Sequence, residues 1–160
     1  MAPSSLLPHA PRRMRDSHFL TCRSWPRARA RFAQSGIAHR AQAFEGDFRH
    51  GTLPAGADLV TLVRVIHDHD DTTALAILHA ANAALPRGGT VLIAEPMSAT
   101  RGSASVAAYF AFYLFAMGNG RLRRADEIAS LLRQAGFTRV RQHATARPML
   151  VSVLTAHRKC

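Results

Sequence analysis

The apolar and polar positions between residues 58 and 95 alternate in blocks that predict a strand–helix–strand unit. Residues 59–66 are mostly apolar and rich in Leu and Val, which indicates a strand buried on both faces of a parallel sheet. A helix follows, with Asp70 or Asp71 as its N-cap, and it ends at a proline and two glycines. Residues 91–94 form a second buried strand. The right-handed crossover rule places the two strands side by side.

The flanking segments carry patterns that predict further elements. Their periods indicate helices over 26–35, 106–117 and 125–135, and strands over 41–44, 138–143 and 149–155, the last two forming an antiparallel hairpin. The run over 106–117 is almost wholly apolar. It is too short to span a bilayer, so we expect a buried helix or the lining of an apolar pocket. Residues 1–26 show no sustained period, which predicts a poorly structured basic segment ahead of one domain over 27–160.

The charge is unevenly distributed. The net charge is +11, and residues 1–40 hold eight of the 21 basic residues but one of the ten acidic residues. One hypothesis is therefore a basic module that binds nucleic acid or anionic lipid through residues 1–40. Against a specific nucleic-acid partner, the alternating Arg27, Arg29 and Arg31 spread round a helix and do not form one stripe. Two cysteines, Cys22 and Cys160, fit a reducing cytoplasm.

Polar residues stand where the two central strands end. His67 follows the first apolar run and Glu95 ends the second. In open α/β sheets, ligands bind beyond the carboxyl ends of the strands, so these two side chains mark the place to look for chemistry. A histidine that a carboxylate orients can act as a general base. From the residues alone, a capping or supporting histidine is the stronger interpretation.

Other polar positions allow more than one interpretation. His67 and His69 share a face of any strand, which permits a metal site, yet the neighbouring aspartates serve as helix caps and no third ligand stands out, so we expect no metal. Arg64 interrupts an apolar strand and needs a partner if it is buried, either in a structural ion pair or at a cofactor. Asp47 is a turn residue or a ligand contact.

Four motifs occur in order with regular spacing. They read Gly46-Asp47-Phe48, His67-Asp68-His69-Asp70-Asp71, Ala84-Leu85-Pro86-Arg87-Gly88-Gly89 and Ala94-Glu95. From about Arg27 to Thr155 the chain resembles the C-terminal part of class I S-adenosylmethionine-dependent O-methyltransferases of the hydroxyindole and plant caffeate type. The resemblance implies a partial Rossmann-like α/β sheet with helices on both faces and a C-terminal antiparallel hairpin. It also implies S-adenosylmethionine as the cofactor.

The resemblance also implies roles for single residues. The general base falls on His67, its acidic partner on Glu95, and the adenine-contacting aspartate on Asp47, with Phe48 beside the ring. A second base-flanking glutamate of the family falls on Leu122, so that carboxylate is missing. Further candidates are Arg64 for the cofactor and Tyr109 and Phe112 for a substrate pocket, although an aromatic helix is more often core or dimer contact.

Three longer segments narrow the resemblance to a bacterial carotenoid branch of the family. They read EPMSATRG, AYFAFYLFAMGNGRLRRADEI and LRQAGFTRVRQHATARP, and they resemble demethylspheroidene (hydroxyneurosporene) O-methyltransferases. This implies methyl transfer to the tertiary hydroxyl of a long acyclic carotenoid. It is compatible with a homodimer of the full-length protein, and with a cytoplasmic location that includes peripheral contact with the inner membrane.

One part of the family pattern is missing upstream. The glycine-rich loop and the acidic residue that holds the cofactor ribose should precede Arg27, but residues 1–26 contain no glycine and, of the acidic residues, only Asp16. The sequence therefore indicates a fragment. We expect the chain by itself to bind S-adenosylmethionine weakly, and a weakly active or inactive fragment is the alternative to a working enzyme.

Overall fold

A computed structural model describes residues 17–21, 25–100, 104–118, 120–148 and 150–160. In chain order the elements are β1 Ser17–Thr21, α1 Trp25–Gln34, β2 Ala41–Glu45, β3 Leu59–Val63, a 3₁₀ turn Ile66–Asp68, α2 Asp71–Ala84, β4 Thr90–Glu95, α3 Ala104–Met117, α4 Ala125–Gln134, β5 Phe137–His143 and β6 Ser152–Arg158. The predictions made for residues 1–16 and for the start of the last strand at residue 149 lie outside the described residues.

The main sheet has four strands in the order β3-β4-β6-β5. β3 and β4 are parallel neighbours, with Leu62 opposite Ile93, so the predicted strand–helix–strand unit is confirmed. The predicted C-terminal hairpin is confirmed as well: β5 and β6 are antiparallel, and β6 lies between β5 and β4. A second, two-stranded parallel sheet joins β1 to β2. β1 lies within the segment for which the sequence indicated no regular structure.

The core lies where α2 and α4 pack against one face of the four-stranded sheet. Asp70 caps α2, because its side chain accepts a hydrogen bond from the backbone N–H of Thr73 at 2.7 Å. The apolar stripe of α4 is buried as predicted. The fully or almost fully buried core side chains of these helices and of strands β3, β4 and β6 include Leu62, Ile77, Leu78, Val91, Ile93, Ile128, Leu131, Leu132 and Leu154. Burying each such aliphatic side chain contributes about 1.5–3 kcal/mol.

The prediction that residues 59–66 form a strand buried on both faces is wrong. β3 ends at Val63, because Arg64 adopts a left-handed φ of 54° and the next residues wind into the 3₁₀ turn. Leu59 is 50% exposed and Val63 57% exposed, since β3 is the edge strand of its sheet and the helices cover the side that carries Leu62. A parallel strand is buried on both faces only where helices cover both.

The prediction of a buried aromatic helix holds for one stripe of α3 only. Phe110 and Leu114, four residues apart, are buried, whereas Tyr109, Phe112 and Phe115 are 69%, 82% and 86% exposed. An all-apolar helix is buried all round only if other elements surround it, and the part of the chain that is described packs on a single stripe. Among the described residues, none of the helices has the length and apolar character needed to cross a membrane.

Candidate active site

The site is built on the 3₁₀ turn that follows β3. The turn carries His67, which is 1% exposed, and it lies next to Glu95, the last residue of β4, also 1% exposed. Oε2 of Glu95 accepts hydrogen bonds from the backbone N–H groups of Ile66 at 3.1 Å and His67 at 3.3 Å. The carboxylate therefore caps the first amides of the turn, which no backbone partner inside the turn can satisfy.

The two predicted catalytic side chains come together, but they are not joined by a hydrogen bond. His67 Nδ1 lies 3.7 Å from Glu95 Oε2. His67 Nε2 lies 3.1 Å from Asp68 Oδ1, within ion-pair distance but without the alignment of a hydrogen bond. Nδ1 of His67, Oδ1 of Asp68 and Oε1 of Glu95 are buried atoms without hydrogen-bond partners in the described part of the chain. Buried polar atoms of this kind mark sites that a ligand or water completes.

Burial sets the protonation of both groups. It lowers the pKa of His67 below its ordinary value of 6.5, although the neighbouring Asp68 carboxylate acts in the opposite direction. Burial also raises the pKa of Glu95 to about 7, although the amide hydrogen bonds and the positive charge of Arg123 oppose this rise. At neutral pH the imidazole is therefore uncharged and can accept a proton, beside a carboxyl group poised between its two forms.

Arg123 is part of this site, although no motif in the sequence marks it as a functional residue. Its side chain is fully buried. Nη1 donates to the carbonyl of Ile66 at 2.9 Å and Nη2 to the carbonyl of His69 at 2.8 Å, while Nε donates to Asp71 Oδ1 at 2.8 Å. The one available signal was position, since Arg123 follows Leu122, where the family resemblance placed a base-flanking glutamate.

Gly120 is required where its segment crosses the turn. A Cβ at this position would lie 2.4 Å from the carbonyl oxygen of His67 and 3.1 Å from the Cα of Asp68. We expect Gly120→Ala to lower the free energy of unfolding by about 1–3 kcal/mol, because backbone atoms cannot move aside cheaply. Urea unfolding measures the change, and Thr72→Ala on the exposed side of α2 is the control, expected to change it by less than about 0.5 kcal/mol. An unchanged midpoint for Gly120→Ala would contradict the close approach.

Asp47 and Phe48 lie in the loop after β2, beside the C-terminal end of the turn. The Phe48 ring meets the ring of His69 edge-on, with centroids 6.0 Å apart. The carboxylate of Asp47 accepts hydrogen bonds from the Nε and Nη2 atoms of Arg49, and this interaction holds its pKa well below the ordinary range. Phe48 is thus adjacent to the His67 turn, and Asp47 precedes it in the same loop. A carboxylate oxygen can accept more than one hydrogen bond, so Asp47 keeps acceptor capacity for a ligand.

Arg64 is exposed, so the predicted requirement for a buried partner does not arise. Its guanidinium carbon lies 5.1 Å from the centre of the Phe110 ring, a cation–π contact. Phe110 in turn lies 6.0 Å from the ring of His67 and 5.6 Å from that of Tyr109. One buried ring therefore separates the histidine from the outer surface of α3.

Tyr109 and Phe112, the predicted pocket residues, lie on that outer surface. Together with Ala108 and Tyr113 they line a shallow, open apolar concavity. Among the described residues, the ring of Phe110 lies between the rings of Tyr109 and His67 in the series of ring contacts. As for metals, the described residues contain no group of three or more His, Cys, Asp or Glu side chains that is placed to hold an ion.

The comparisons with known proteins agree with this architecture. A family model described as an O-methyltransferase domain matches residues 23–138. The chain belongs to this O-methyltransferase family. The resemblance inferred from the motifs is therefore confirmed.

Two relatives of this chain are named demethylspheroidene O-methyltransferase. The one from Cereibacter sphaeroides is 43% identical over 129 residues, which cover 80% of this chain and 34% of that protein. The one from Rhodobacter capsulatus is 44% identical over 114 residues, which cover 71% of this chain and 29% of that protein. The chain thus spans about a third of the length of these relatives.

A solved O-methyltransferase supports the fold assignment. The enzyme from neocarzinostatin biosynthesis, in complex with S-adenosylmethionine and 2-hydroxy-5-methyl naphthoic acid, is 30% identical with a TM-score of 0.74. The match covers 88% of this chain and 41% of that one. The predicted fold class, part of a class I methyltransferase sheet, is confirmed.

Proposed function

We propose that this chain carries the proton-accepting and substrate-binding part of an S-adenosylmethionine-dependent O-methyltransferase whose substrate is a hydroxylated acyclic carotenoid of the demethylspheroidene type. The observation that carries this proposal is the buried cluster of His67, Asp68 and Glu95, with three polar atoms that lack partners within the described residues. A hydroxyl group entering this cluster would meet an uncharged imidazole and two carboxyl groups. The names of the two carotenoid relatives support the choice of substrate.

The residues of the chain suit methyl transfer to oxygen. S-adenosylmethionine, when bound, supplies an electrophilic methyl group on sulfur, and Asp47 and Phe48 would hold its adenine. The substrate oxygen would form the new C–O bond as the C–S bond breaks, and its proton would pass to the uncharged imidazole of His67, whose Nδ1 lies 3.7 Å from Glu95 Oε2. Because a tertiary alcohol releases its proton late, alignment and exclusion of water contribute more than base strength.

Substrate access requires Phe110 to move. His67 is 1% exposed, and Phe110, 7% exposed, covers its ring with Arg64 outside it. A lipophilic chain that displaces this ring would continue onto the exposed aromatic residues of α3, where Tyr109 and Phe112 offer apolar area. A carotenoid resides in lipid, so peripheral contact of this face with a membrane is part of the proposal.

The test is methyl transfer from labelled S-adenosylmethionine to demethylspheroidene in detergent micelles. Two proteins are compared: the chain itself, and a chimaera of the C. sphaeroides enzyme in which residues 23–138 of this chain replace the matching segment. We expect the chimaera to form the methyl ether. Calorimetry with S-adenosylmethionine reports cofactor binding by each protein. A folded chimaera that binds the cofactor and transfers no methyl group would refute the proposal.

A substitution on the exposed aromatic surface of α3 is expected to weaken binding of the carotenoid. In the chimaera, Phe112→Ser removes an 82% exposed ring and is expected to raise KM for the carotenoid about tenfold, with kcat nearly unchanged. The control is Leu59→Ser, which removes another exposed apolar side chain, 50% exposed, from the start of β3. Equal KM values in the two variants would show that Phe112 takes no part in substrate binding.

A further inference from the structure

We infer that Arg123 is a positioning residue for the proposed base, because its buried guanidinium binds the carbonyl oxygens of Ile66 and His69 on either side of His67. This inference rests on the proposed role of His67. Nothing in the family match or the names of the relatives assigns Arg123 a role. It is also the bulkiest of the fully buried side chains among the described residues.

The 3₁₀ turn needs such support because its own hydrogen bonds are long. Asp68 N–H donates to the carbonyl of Val65 and His69 N–H to that of Ile66, each at 3.3 Å. Short 3₁₀ segments have poorer hydrogen-bond geometry than α-helices. Two side chains supply further hydrogen bonds: Glu95 accepts from the amides of Ile66 and His67, and Arg123 donates to the carbonyls of Ile66 and His69.

Arg123 is itself anchored on two sides. Its guanidinium pairs with Asp71, the first residue of α2, with Nη2 and Oδ1 2.7 Å apart. Its carbonyl accepts a hydrogen bond from Ser98 N–H at 3.0 Å, and two residues earlier the N–H of Arg121 donates to the carbonyl of His67 at 3.0 Å. A buried guanidinium with this many partners is fixed in place, so it can hold the turn without a large loss of side-chain entropy.

The charge of Arg123 adds an electrostatic effect. The groups that act on the imidazole of His67 are Asp68 and His69 in the same turn, Arg64 after β3, Glu95 at the end of β4, and Arg123. The positive charge of Arg123 lowers the pKa of His67 and also that of Glu95. It therefore helps to keep the imidazole uncharged, which is the form that accepts a proton.

The experiment is an NMR titration of the histidine rings in the chain, combined with amide hydrogen exchange. Arg123→Met removes the charge and all the donors, and we expect the pKa of His67 to rise towards its ordinary value. Arg123→Lys keeps the charge but cannot donate to both carbonyls at once. In this variant we expect a smaller pKa change, together with at least about tenfold faster exchange of the Ile66 and His67 amides.

The matched control is Arg121→Met, since the Arg121 side chain also binds Asp71 but does not contact the carbonyls of the turn. In Arg121→Met we expect the pKa of His67 and the amide exchange rates of the turn to match those of the parent chain. Asp71→Ala, at an exposed position, removes the carboxylate that anchors Arg123 without touching the buried side chain. Should the Arg123 variants not fold, faster amide exchange of the turn in Asp71→Ala supports the inference, and exchange at the parental rate overturns it.

The inference is overturned if folded Arg123 variants have the same His67 pKa as the parent and the same amide exchange rates in the turn. A loss of protection spread evenly over the core would also overturn it, because it would mean general stabilisation and not positioning. Neither readout depends on methyl transfer. If the NMR and exchange results contradict the positioning role of Arg123, the base role of His67 is still tested separately by the methyl-transfer assay. If the methyl-transfer assay contradicts the base role, the NMR and exchange results on Arg123 still stand.

Discussion

Replacing His67 with alanine is expected to reduce methyl transfer in the chimaera by about 100-fold or more, while the affinity for S-adenosylmethionine stays nearly the same. The imidazole is the buried group that is uncharged at neutral pH and lies between two carboxyl groups, so its loss leaves the hydroxyl proton without an acceptor. The residues proposed for the adenine, Asp47 and Phe48, are not touched by the substitution. Single-turnover rates and calorimetry measure the two quantities separately.

The control for this experiment is His79→Ala, which removes an exposed histidine from α2 and is expected to retain full activity. His67→Gln serves as a second variant, because it keeps a polar side chain in the buried site and so limits any folding defect. Equal rates for His67→Ala and the parent would exclude the base role. A matched loss of cofactor affinity would show that the substitution disturbs the site as a whole.

Glu95→Gln is expected to stabilise the chain at pH 8, by up to roughly 3 kcal/mol, and to have little effect below pH 4.5. Burial raises the pKa of Glu95 from 4.5 to about 7. Between these values the folded chain binds more protons than the unfolded chain, so the stability contributed by this group is complete below about pH 4.5 and is lost as the pH rises through about 7. Glutamine cannot ionise, and its oxygen can still accept from the amides of Ile66 and His67.

Urea unfolding of parent and variant at pH 4.5, 6 and 8 measures this effect, and the difference between the two curves removes the opposite contribution of His67. Glu127→Gln gives a comparison of opposite sign. Hydrogen bonds from Arg124 N–H and the Arg121 side chain lower the pKa of Glu127, so its contribution is present above the ordinary pKa and the variant should be less stable at pH 8. Curves for Glu95→Gln and parent that run parallel from pH 4.5 to 8 would contradict the burial of an ionisable group.

Local patterns were sufficient to predict most of the fold. The cap at Asp70, the apolar stripe of α4 and the two hairpin strands depend on residues close in sequence, and all of them are found. The family motifs also marked the two strand ends that bring His67 and Glu95 together.

The errors concern burial, which depends on what packs against an element. The amino-acid types of residues 59–66 are typical of a central strand. In the structure, β3 is an edge strand that ends at Val63, and a 3₁₀ turn begins at Ile66. The apolar run of α3 likewise carries no information about which of its faces meets another element.

The role of Arg123 could not be predicted for a related reason. Arg121, Arg123 and Arg124 stand within four positions of each other and look equivalent in sequence. In the structure, Arg121 and Arg124 are exposed while Arg123 is buried. Arg123 is the buried one because its guanidinium binds the carbonyl groups of Ile66 and His69. These lie more than 50 residues away in the sequence and come close only in the folded chain.

The dependence of the His67 turn on both Glu95 and Arg123 has a consequence for biosynthesis. The nascent polypeptide emerges from its N-terminus, so β3 and the histidine leave the ribosome first, then the capping carboxylate, and the guanidinium last. A translation product that stops after residue 100 would contain the imidazole and the carboxylate without the group that binds the carbonyls on either side of the histidine. The geometry of the turn is therefore completed only after β3, β4 and α3 have been made, and before the two strands of the C-terminal hairpin.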